Sequence, residues 1–334
     1  MAATTRYRPM DFETPLVSIL TPCFNSADTL PRYTSGICTQ THRQFEVILV
    51  NDGSTDNTEE VLRACANKII VSSGARVTCI SQANKGPCAA LNTAFRHARG
   101  DYFLLCDSDD ALTPNAISDF LEAFALHPDC DMVFARYNLC DQAGRVVDTG
   151  PAIAIPGPDA IYETLIARGM FIKAGAYCFR RRCLDSLPNG RLNEAYYGQN
   201  LELLLHIAAR GRIAFHDAVT VNITIQPESR SRRRDLQALR RQCLDSMQLQ
   251  LEVIARYGCS RRALRAFRRR FLPAESQLFF LEGRRADTLK CLLLGLGLGL
   301  VTRRILLHAL CSLTEPTRLW LARRWYPEFL RGTG

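Results

Sequence analysis

The chain has 334 residues, of which 47% are hydrophobic and 22% are charged. This composition is enough to bury a core and excludes an intrinsically disordered chain. The net charge of +9 is unevenly distributed, because residues 1–226 hold 20 Arg and Lys against 24 Asp and Glu, whereas residues 227–334 hold 22 against 9. We therefore predict two parts, 1–226 and 227–334, that meet different partners.

The fourteen cysteines are scattered along the chain and show no spacing typical of a zinc site. We expect them to be mostly buried, reduced thiols in a cytoplasmic protein. Residues 1–14 lack the apolar stretch of a signal peptide. The apolar run that begins at Cys291 is too short to cross a bilayer before Arg303 interrupts it. We expect a soluble protein or one bound peripherally to the inner face of the cell membrane.

Short apolar runs alternate with helical patterns through the first half of the chain. Strands are predicted at Leu16–Thr21, Phe45–Val50, Val77–Ser81, Tyr102–Cys106 and Met132–Arg136. Helices are predicted from a cap near Ser26, from Ser54 to Ala66, at Pro87–His97 and at Pro114–Leu126. Such alternation indicates an α/β fold with a mainly parallel sheet covered on both faces.

The rest of the chain shows a mixed pattern and then a helical one. Helices are predicted near residues 159–167 and 200–209, and strands near 176–179 and 219–225. From Ser231 onward the sequence predicts helices only, with breaks near Gly258, Pro273 and Glu282. We therefore expect a helical C-terminal region.

Polar clusters follow the first four predicted strands, at Thr21–Ser26, Asn51–Asp56, Gln82–Gly86 and Asp107–Asp110. Ligands of open α/β sheets bind beyond the carboxyl ends of the strands, so we expect these clusters to form one site.

Asp107-Ser108-Asp109-Asp110 places three carboxylates within four residues. Their mutual repulsion costs stability unless a cation compensates, and Mg²⁺ or Mn²⁺ commonly joins such carboxylates to substrate phosphates. Asp52, in an Asp-Gly turn, could accept hydrogen bonds from a base or a ribose. The structural alternatives are an acidic helix cap and an ordinary turn.

Four segments together resemble the inverting family-two glycosyltransferases of GT-A fold and cover about residues 15–135. They are Val17-Ser-Ile-Leu-Thr-Pro-Cys-Phe-Asn25, Val50-Asn-Asp-Gly-Ser-Thr-Asp56, Asn84-Lys-Gly-Pro-Cys-Ala-Ala-Leu-Asn92 and Gly100-Asp-Tyr-Phe-Leu-Leu-Cys-Asp-Ser-Asp-Asp110.

The resemblance implies a nucleotide-sugar donor that binds in a pocket formed by the four segments. The implied donor-binding residues are Thr21, Pro22, Phe24, Asn25, Asp52, Ser54, Lys85, Gly86, Asp107 and Ser108. Asp107 and Asp109 are the implied ligands of Mg²⁺ or Mn²⁺. We expect transfer from a UDP-linked sugar to a saccharide or a lipid-linked glycan.

Two positions depart from the family pattern. Leu91 stands where the family has an arginine before Asn92, which leaves Lys85 as a donor-side cation or as a solvated loop lysine. Gln199-Asn200 stands where the family has a Glu-Asp pair whose Asp is the base. An amide is not basic near neutral pH, so we assign the base to Glu194 in the preceding loop, with a surface carboxylate as the alternative.

Other assignments of the sequence remain open. His206 is expected to be packed in its helix, and Glu202 points away from Asn200. Arg230 and Arg232–Arg234 could contact the diphosphate or an anionic acceptor, or simply be solvated at the start of a basic helix.

The basic C-terminal region, with Trp320, Trp325 and Tyr326 near its end, suits an anionic membrane surface. A helical bundle that packs on the first part or forms a homo-oligomer is the alternative. No nucleic-acid recognition motif is present, so no nucleic acid is expected.

Two other functions fit parts of the sequence. A non-catalytic member that binds a nucleotide or glycan would explain Gln199-Asn200. A nucleotidyltransferase would also use acidic metal ligands, but the sequence lacks the glycine-rich basic first loop of such enzymes.

Overall fold

In the computed structural model, the described residues are 15–326 except 152–156, 158–159, 170–171, 197, 226–239 and 241–243. Nine strands form one sheet in the order β3-β2-β1-β4-β8-β6-β9-β5, with β7 paired to β6. They are β1 Val17–Cys23, β2 Phe45–Asp52, β3 Arg76–Gln82, β4 Tyr102–Leu105, β5 Ala111–Leu112, β6 Met132–Cys140, β7 Val146–Gly150, β8 Tyr177–Arg180 and β9 Ile213–Thr224.

The sheet is mainly parallel, as predicted. Strands β3, β2, β1 and β4 pair in parallel, and so do β6 and β9. Strand β8 is antiparallel to both β4 and β6, so it joins the two parallel groups. The register places Cys23 beside Asn51 and Asp52 beside Gln82, so the polar segments that follow these strands emerge at one edge.

Both faces of the sheet are buried, as the unbroken apolar strands predict. In β2, Val47 and Leu49 enter one core cluster and Ile48 and Val50 enter the other, because alternate strand residues point to opposite faces. The helices are α1 Leu30–Cys38, α2 Thr58–Ser73, α3 Pro87–His97, α4 Ala116–Leu126, α5 Ile161–Arg168, α6 Gln199–Arg210, α7 Ser246–Tyr257, α8 Arg261–Leu281, α9 Arg285–Leu298, α10 Arg303–Cys311 and α11 Glu315–Trp325. Helices α1, α2 and α4 cover one face, and α3, α5 and α6 cover the other.

Two helices begin later than predicted. Helix α1 begins at Leu30 and not near Ser26, because the Ser26 backbone N–H donates 2.7 Å to Thr58 Oγ1 in a loop contact. Helix α2 begins at Thr58 and not at Ser54. Residues 54–56 instead bind the neighbouring loop, as described below.

The predicted break at Pro273 is wrong, because Pro273 lies inside α8. Proline removes one helical hydrogen bond and crowds the preceding turn. Here Phe271 and Leu272 before it and Leu278 and Phe280 after it are all buried. Their packing holds the helix together through the proline.

The C-terminal helices pack in two groups. Leu249 and Val253 of α7 and Phe267 and Phe271 of α8 belong to the same core cluster as α5 and α6. Helices α9, α10 and α11 instead pack against the second half of α8 in two small clusters. The boundary predicted between residues 226 and 227 lies outside the described residues. None of the described helices is long and apolar enough to cross a membrane.

His308 joins the helices of the second group. Its Nδ1 lies 3.0 Å from Ser276 Oγ, and its Nε2 lies 2.9 Å from Tyr326 Oη. The ring is fully buried and stacks on Phe280 with centroids 4.9 Å apart. Burial, and to a lesser degree the charge of Arg304, lowers the pKa of His308 to about 4.

We expect His308→Gln to lower the free energy of unfolding by about 2 kcal/mol at pH 7, because two buried hydrogen bonds are disturbed. The depressed pKa of His308 means that its stabilising contribution is complete above its unfolded pKa near 6.5 and is lost as the pH falls toward 4. The difference between wild type and variant should therefore shrink between pH 7 and pH 4. Urea unfolding followed by circular dichroism measures this difference, with His127→Gln at an exposed position as the control. A difference independent of pH would contradict the assignment.

Candidate active site

The loops after β1 and β2 are hydrogen-bonded to each other through Asn25. The Asn25 backbone N–H donates 3.0 Å to Ser54 Oγ, and its side-chain Oδ1 accepts 2.8 Å from the Thr55 backbone N–H. Asn25 has a positive φ of 50°, a conformation that asparagine tolerates better than most residues. Ser54 Oγ in turn donates 2.7 Å to Asn51 Oδ1. The two loops thus form one rigid rim at the carboxyl edge of the sheet.

Asp52 fixes the third loop on this edge. Its Oδ1 accepts from Gln82 Nε2 at 2.8 Å and from the Lys85 backbone N–H at 3.0 Å. Its Oδ2 accepts from the Gly86 backbone N–H at 2.8 Å. Asp52 is buried, so in this structure its carboxylate holds the loop that carries Lys85 and Gly86.

Gly53 permits this contact between loops. It has a φ of +67°, and a Cβ there would lie 2.6 Å from the Asn84 backbone nitrogen. Only glycine combines that conformation with so close an approach. The Asp-Gly turn predicted from the sequence is therefore a joint between two loops.

The predicted donor-binding residues of the β1 end differ in exposure. Phe24 and Asn25 are exposed at the rim, and Pro22 is half-buried. Thr21 is fully buried, and its Oγ1 donates 2.8 Å to Tyr33 Oη of α1. The Thr21 side chain is thus directed into the core beneath the rim. Lys85 is exposed.

The acidic cluster consists of Asp107, Asp109 and Asp110. Each offers a carboxylate oxygen, and these oxygens all lie within 4.8 Å of one another. Asp110 is buried, and burial first, then the charges of Asp109 and Asp107, raises the pKa of its carboxyl well above the ordinary value. One structural alternative for Asp110 is a cap of the following helix, but the structure places Asp110 with the two predicted metal ligands.

Two contacts anchor the cluster to the rest of the site. Ser108 Oγ lies 2.8 Å from Ser26 Oγ, which connects the β4 end to the β1 loop. Arg32 Nη2 of α1 donates 2.7 Å to the Asp109 backbone carbonyl, and the Arg32 charge also partly offsets the raised pKa of Asp110. The role of Arg32 could not be predicted, because nothing in the sequence around Arg32 distinguishes it from a solvated helix arginine.

The donor set of the cluster fits Mg²⁺ or Mn²⁺. Both ions prefer carboxylate oxygens. A bound cation would offset the repulsion among the three neighbouring carboxylates. Asp107 and Asp109 are half-buried, whereas Asp110 is buried.

Asn200, at the position of the family base, lies in the first turn of α6. It is buried, and its Oδ1 accepts 2.7 Å from Tyr177 Oη. Burial, and then the charge of Asp107, raises the pKa of Tyr177. The Tyr177 hydroxyl therefore donates to the Asn200 amide oxygen and lies near enough to Asp107 to feel its charge.

Glu194 is exposed on the loop before α6. Asn92 of α3 holds this loop, because its Nδ2 donates 2.9 Å to the Leu192 carbonyl and 3.1 Å to Glu194 Oε1. Asn92 Oδ1 also accepts 2.9 Å from the Leu192 backbone N–H. The last residue of the third family segment thus supports the loop that carries the predicted base.

A cavity of about 500 Å³ opens beside this loop, and Asp107–Asp110 do not contribute to it. Its lining includes three carboxylates and two guanidinium groups, from Glu194, Glu202, Glu252, Arg191 and Arg256. Glu202 is buried, both of its oxygens accept 3.0 Å from the Asn193 backbone N–H, and burial raises its pKa to about 7.

His206 also borders this cavity and is packed as expected. Its Nδ1 lies 3.0 Å from Tyr257 Oη, and burial lowers its pKa to about 4. Arg230 and Arg232–Arg234, predicted near the diphosphate, lie outside the described residues.

Residues 18–186 match the glycosyl transferase family 2, and this match covers just over half of the chain. The chain belongs to glycosyl transferase family 2. It is 36% identical over 137 residues to a chondroitin synthase of Escherichia coli, and the aligned residues make up 41% of this chain and 19% of that protein. It is 33% identical over 129 residues to the glycosyltransferase GlyG of Streptococcus pneumoniae, which covers 38% of this chain and 41% of GlyG. The chain thus spans less than half the length of these relatives.

Solved structures share the fold. Residues 1–349 of S. aureus TarS superimpose with a TM-score of 0.57 at 18% identity, over 92% of this chain and 87% of that one. The mannosyltransferase PcManGT of Pyrobaculum calidifontis, in complex with GDP-Man and Mn²⁺, gives a TM-score of 0.54 at 18% identity, over 92% and 83% of the two chains. These likenesses confirm the predicted GT-A-like fold with a helical C-terminal region.

We expect Asp109→Asn to raise the stability of the metal-free protein by on the order of 1 kcal/mol, because one of three repelling charges is removed. We expect Mn²⁺ and UDP to raise the melting temperature of the wild type, and the same variant to lose that rise. Differential scanning fluorimetry with and without Mn²⁺ measures both effects. Asp185→Asn, at an exposed position away from the cluster, is the matched control. An undiminished Mn²⁺ response in Asp109→Asn would rule out Asp109 as a ligand.

Proposed function

We propose that this chain transfers a sugar from a nucleotide-sugar donor, UDP-linked, to a saccharide or lipid-linked glycan acceptor with inversion at the sugar carbon. The observation that carries the proposal is the acidic cluster at the carboxyl edge of the sheet, beside the joined loops of β1, β2 and β3. Family membership supports the reaction class. A TarS complex with UDP-GlcNAc shares the fold with a TM-score of 0.51, which supports the donor class.

The donor half of the reaction would take place at the rim. Phe24 and Asn25 are exposed there and are suited to contact the nucleotide. Ser54 accepts from the Asn25 backbone N–H, and Lys85 is exposed on the loop that Asp52 holds. Asp107 and Asp109 would hold Mg²⁺ or Mn²⁺, which supplies Lewis-acid stabilisation of the departing diphosphate when bound. Asp52 would act through the backbone of Lys85 and Gly86, whose positions it fixes.

The acceptor half requires a group that accepts a proton from the attacking hydroxyl. We assign this role to Glu194, which is exposed on a loop fixed by Asn92 and borders the cavity beside α6. Asn200 would instead orient the Tyr177 hydroxyl, since its amide oxygen accepts from that group. Glu202 is less accessible to an acceptor hydroxyl, because it is buried and both of its oxygens accept from the Asn193 backbone N–H.

A lipid-linked acceptor would also give residues 227–334 a membrane surface as their partner. A lipid-linked glycan lies at the cytoplasmic membrane surface, where the basic C-terminal region would bind peripherally.

A second function, binding of a nucleotide or glycan without transfer, is favoured by one observation. Asn200 replaces the family base and its amide is engaged with Tyr177. The two functions differ in turnover: incubation with a panel of nucleotide-sugars, Mn²⁺ and cell-derived acceptor lipids should release UDP if the chain is an enzyme. Donor binding without any release of UDP, even as slow hydrolysis, would favour the non-catalytic function.

We expect Asp107→Asn to weaken Mn²⁺-dependent binding of the UDP-sugar at least a hundredfold, because the donor diphosphate loses its bridging cation. Isothermal titration calorimetry with and without Mn²⁺ measures the affinity, and circular dichroism checks that the fold is retained. Asp185→Asn should bind the donor as the wild type does. Unchanged donor affinity in Asp107→Asn would overturn the assignment of the donor site.

We expect Glu194→Gln to reduce kcat about 10²- to 10⁴-fold while leaving the donor affinity within twofold, because general-base assistance alone is lost. Steady-state assays of UDP release and donor calorimetry separate the two effects. Glu252→Gln, which changes another carboxylate of the same cavity, is the control. If Glu202→Gln rather than Glu194→Gln shows the loss, the base lies in α6.

A further inference from the structure

Exposed apolar side chains are concentrated in helices α9–α11. Of the nineteen large hydrophobic residues that are exposed in the described part of the chain, twelve lie between Leu289 and Trp325. This segment is about a tenth of the sequence, so the concentration is not the ordinary scatter of surface leucines.

In α9 three of the five exposed leucines share one face. Leu289, Leu293 and Leu296 follow the i, i+4, i+7 spacing of a helix, and Leu293 and Leu296 are 66% and 61% exposed. The opposite face, with Cys291 and Gly295, is buried against α8. The helix is therefore anchored on one side and turns leucines away from the protein on the other.

Helices α10 and α11 also expose apolar side chains. In α10, Leu306 and Leu310 are exposed one turn apart, while Ile305 and His308 pack inward. In α11, Pro316, Leu319, Trp320 and Arg324 line one shallow surface, and Trp320 is 63% exposed. Trp325 is also exposed, whereas Tyr326, grouped with the two tryptophans in the sequence analysis, is buried against His308.

Unpaired cations border these apolar residues. Arg303, Arg304 and Arg324 are exposed and form no salt bridge among the residues that the structure describes. Residues 284–326 hold eight Arg and Lys against two Asp and Glu. We call the exposed leucines and tryptophans of α9–α11, together with these three arginines, the apolar–basic face.

We propose that the apolar–basic face binds the surface of an anionic lipid bilayer. The leucines and tryptophans would enter the boundary between headgroups and acyl chains, and the arginines would contact the lipid phosphates. Because no described helix can span a membrane, the face would lie on the bilayer. The inference deepens the proposed function by giving it a membrane-bound acceptor, but vesicle binding requires no turnover.

Charge argues against a second copy of this chain as the occupant. A two-fold interface would place the same patch on both partners, so the excess of cations would face itself. Like charges opposed across an interface cost several kcal/mol. An anionic bilayer satisfies both the apolar and the cationic part of the face.

Co-sedimentation with phosphatidylglycerol–phosphatidylcholine vesicles, and with phosphatidylcholine vesicles alone, tests the proposal. The full chain should bind the anionic vesicles at least tenfold more strongly, and added salt should weaken that binding. The fluorescence of Trp320 and Trp325 should shift to the blue on binding. Neutral and anionic vesicles binding equally well, with no salt dependence, would overturn the role of the arginines.

Two double variants locate the face. Leu293→Glu/Leu296→Glu and Arg303→Glu/Arg304→Glu should each weaken anionic-vesicle binding at least tenfold. Val71→Glu, at an 87% exposed position in α2, is the control and should leave binding unchanged. Wild-type binding by both double variants would overturn the proposal. So would a wild type that sediments as a dimer without vesicle binding and becomes monomeric in Leu293→Glu/Leu296→Glu.

The donor site is tested separately. Asp107→Asn should bind the anionic vesicles as the wild type does, since this substitution alters the donor site and not the apolar–basic face. Loss of donor binding with retained vesicle binding therefore concerns the proposed function, and the reverse result concerns the apolar–basic face.

Discussion

Three carboxylates at the end of β4, with oxygens within 4.8 Å of one another, impose the strongest constraint on this fold. Their repulsion must be resisted by the surrounding structure in the absence of a cation. The Ser26–Ser108 contact and the hydrogen bond from Arg32 to the Asp109 carbonyl supply that resistance from the β1 loop and α1. The burial of Asp110 increases the cost further, since its charged form is disfavoured. A divalent cation bound to these carboxylates would relieve the repulsion.

Much of the fold was predictable because its strands carry buried apolar runs that differ sharply from the loops between them. Helix α3 matched its predicted bounds, since Pro87 and the polar residues before it mark the start unambiguously. The predicted helix starts near Ser26 and Ser54 were wrong, because a serine can either cap a helix or hold a loop. Which of the two it does depends on its partner. Ser26 is bound to Thr58, which is distant in sequence, and Ser54 is bound to Asn51, which belongs to β2. Pro273 was misread for a related reason, because only packing on both sides keeps α8 continuous.

The residue types of the candidate site were predictable, but their partners were not. Asp52 was expected to face a ligand, and the structure shows its oxygens occupied by the backbone of Lys85 and Gly86. Thr21 lies at the predicted edge, yet its hydroxyl bonds to Tyr33 in the core. Arg32 could not be found at all, because its contact with Asp109 exists only after α1 has packed beside β5. The local pattern specifies which groups reach the edge, and tertiary packing decides which way they face.

Helix α8 connects α6 to the apolar–basic face in one continuous element. Its first half, with Phe267 and Phe271, shares a core with α6, whose first turn carries Asn200. Its second half supports α9 and α10, and the buried contacts of His308 with Ser276 and Tyr326 hold α11 to the same support. Because the helix continues through Pro273, the orientation of the apolar–basic face is set by the same packing that places α6. A bilayer bound at that face would therefore hold the loop of Glu194 at a fixed height above the lipid surface, which suits an acceptor whose glycan extends from the membrane.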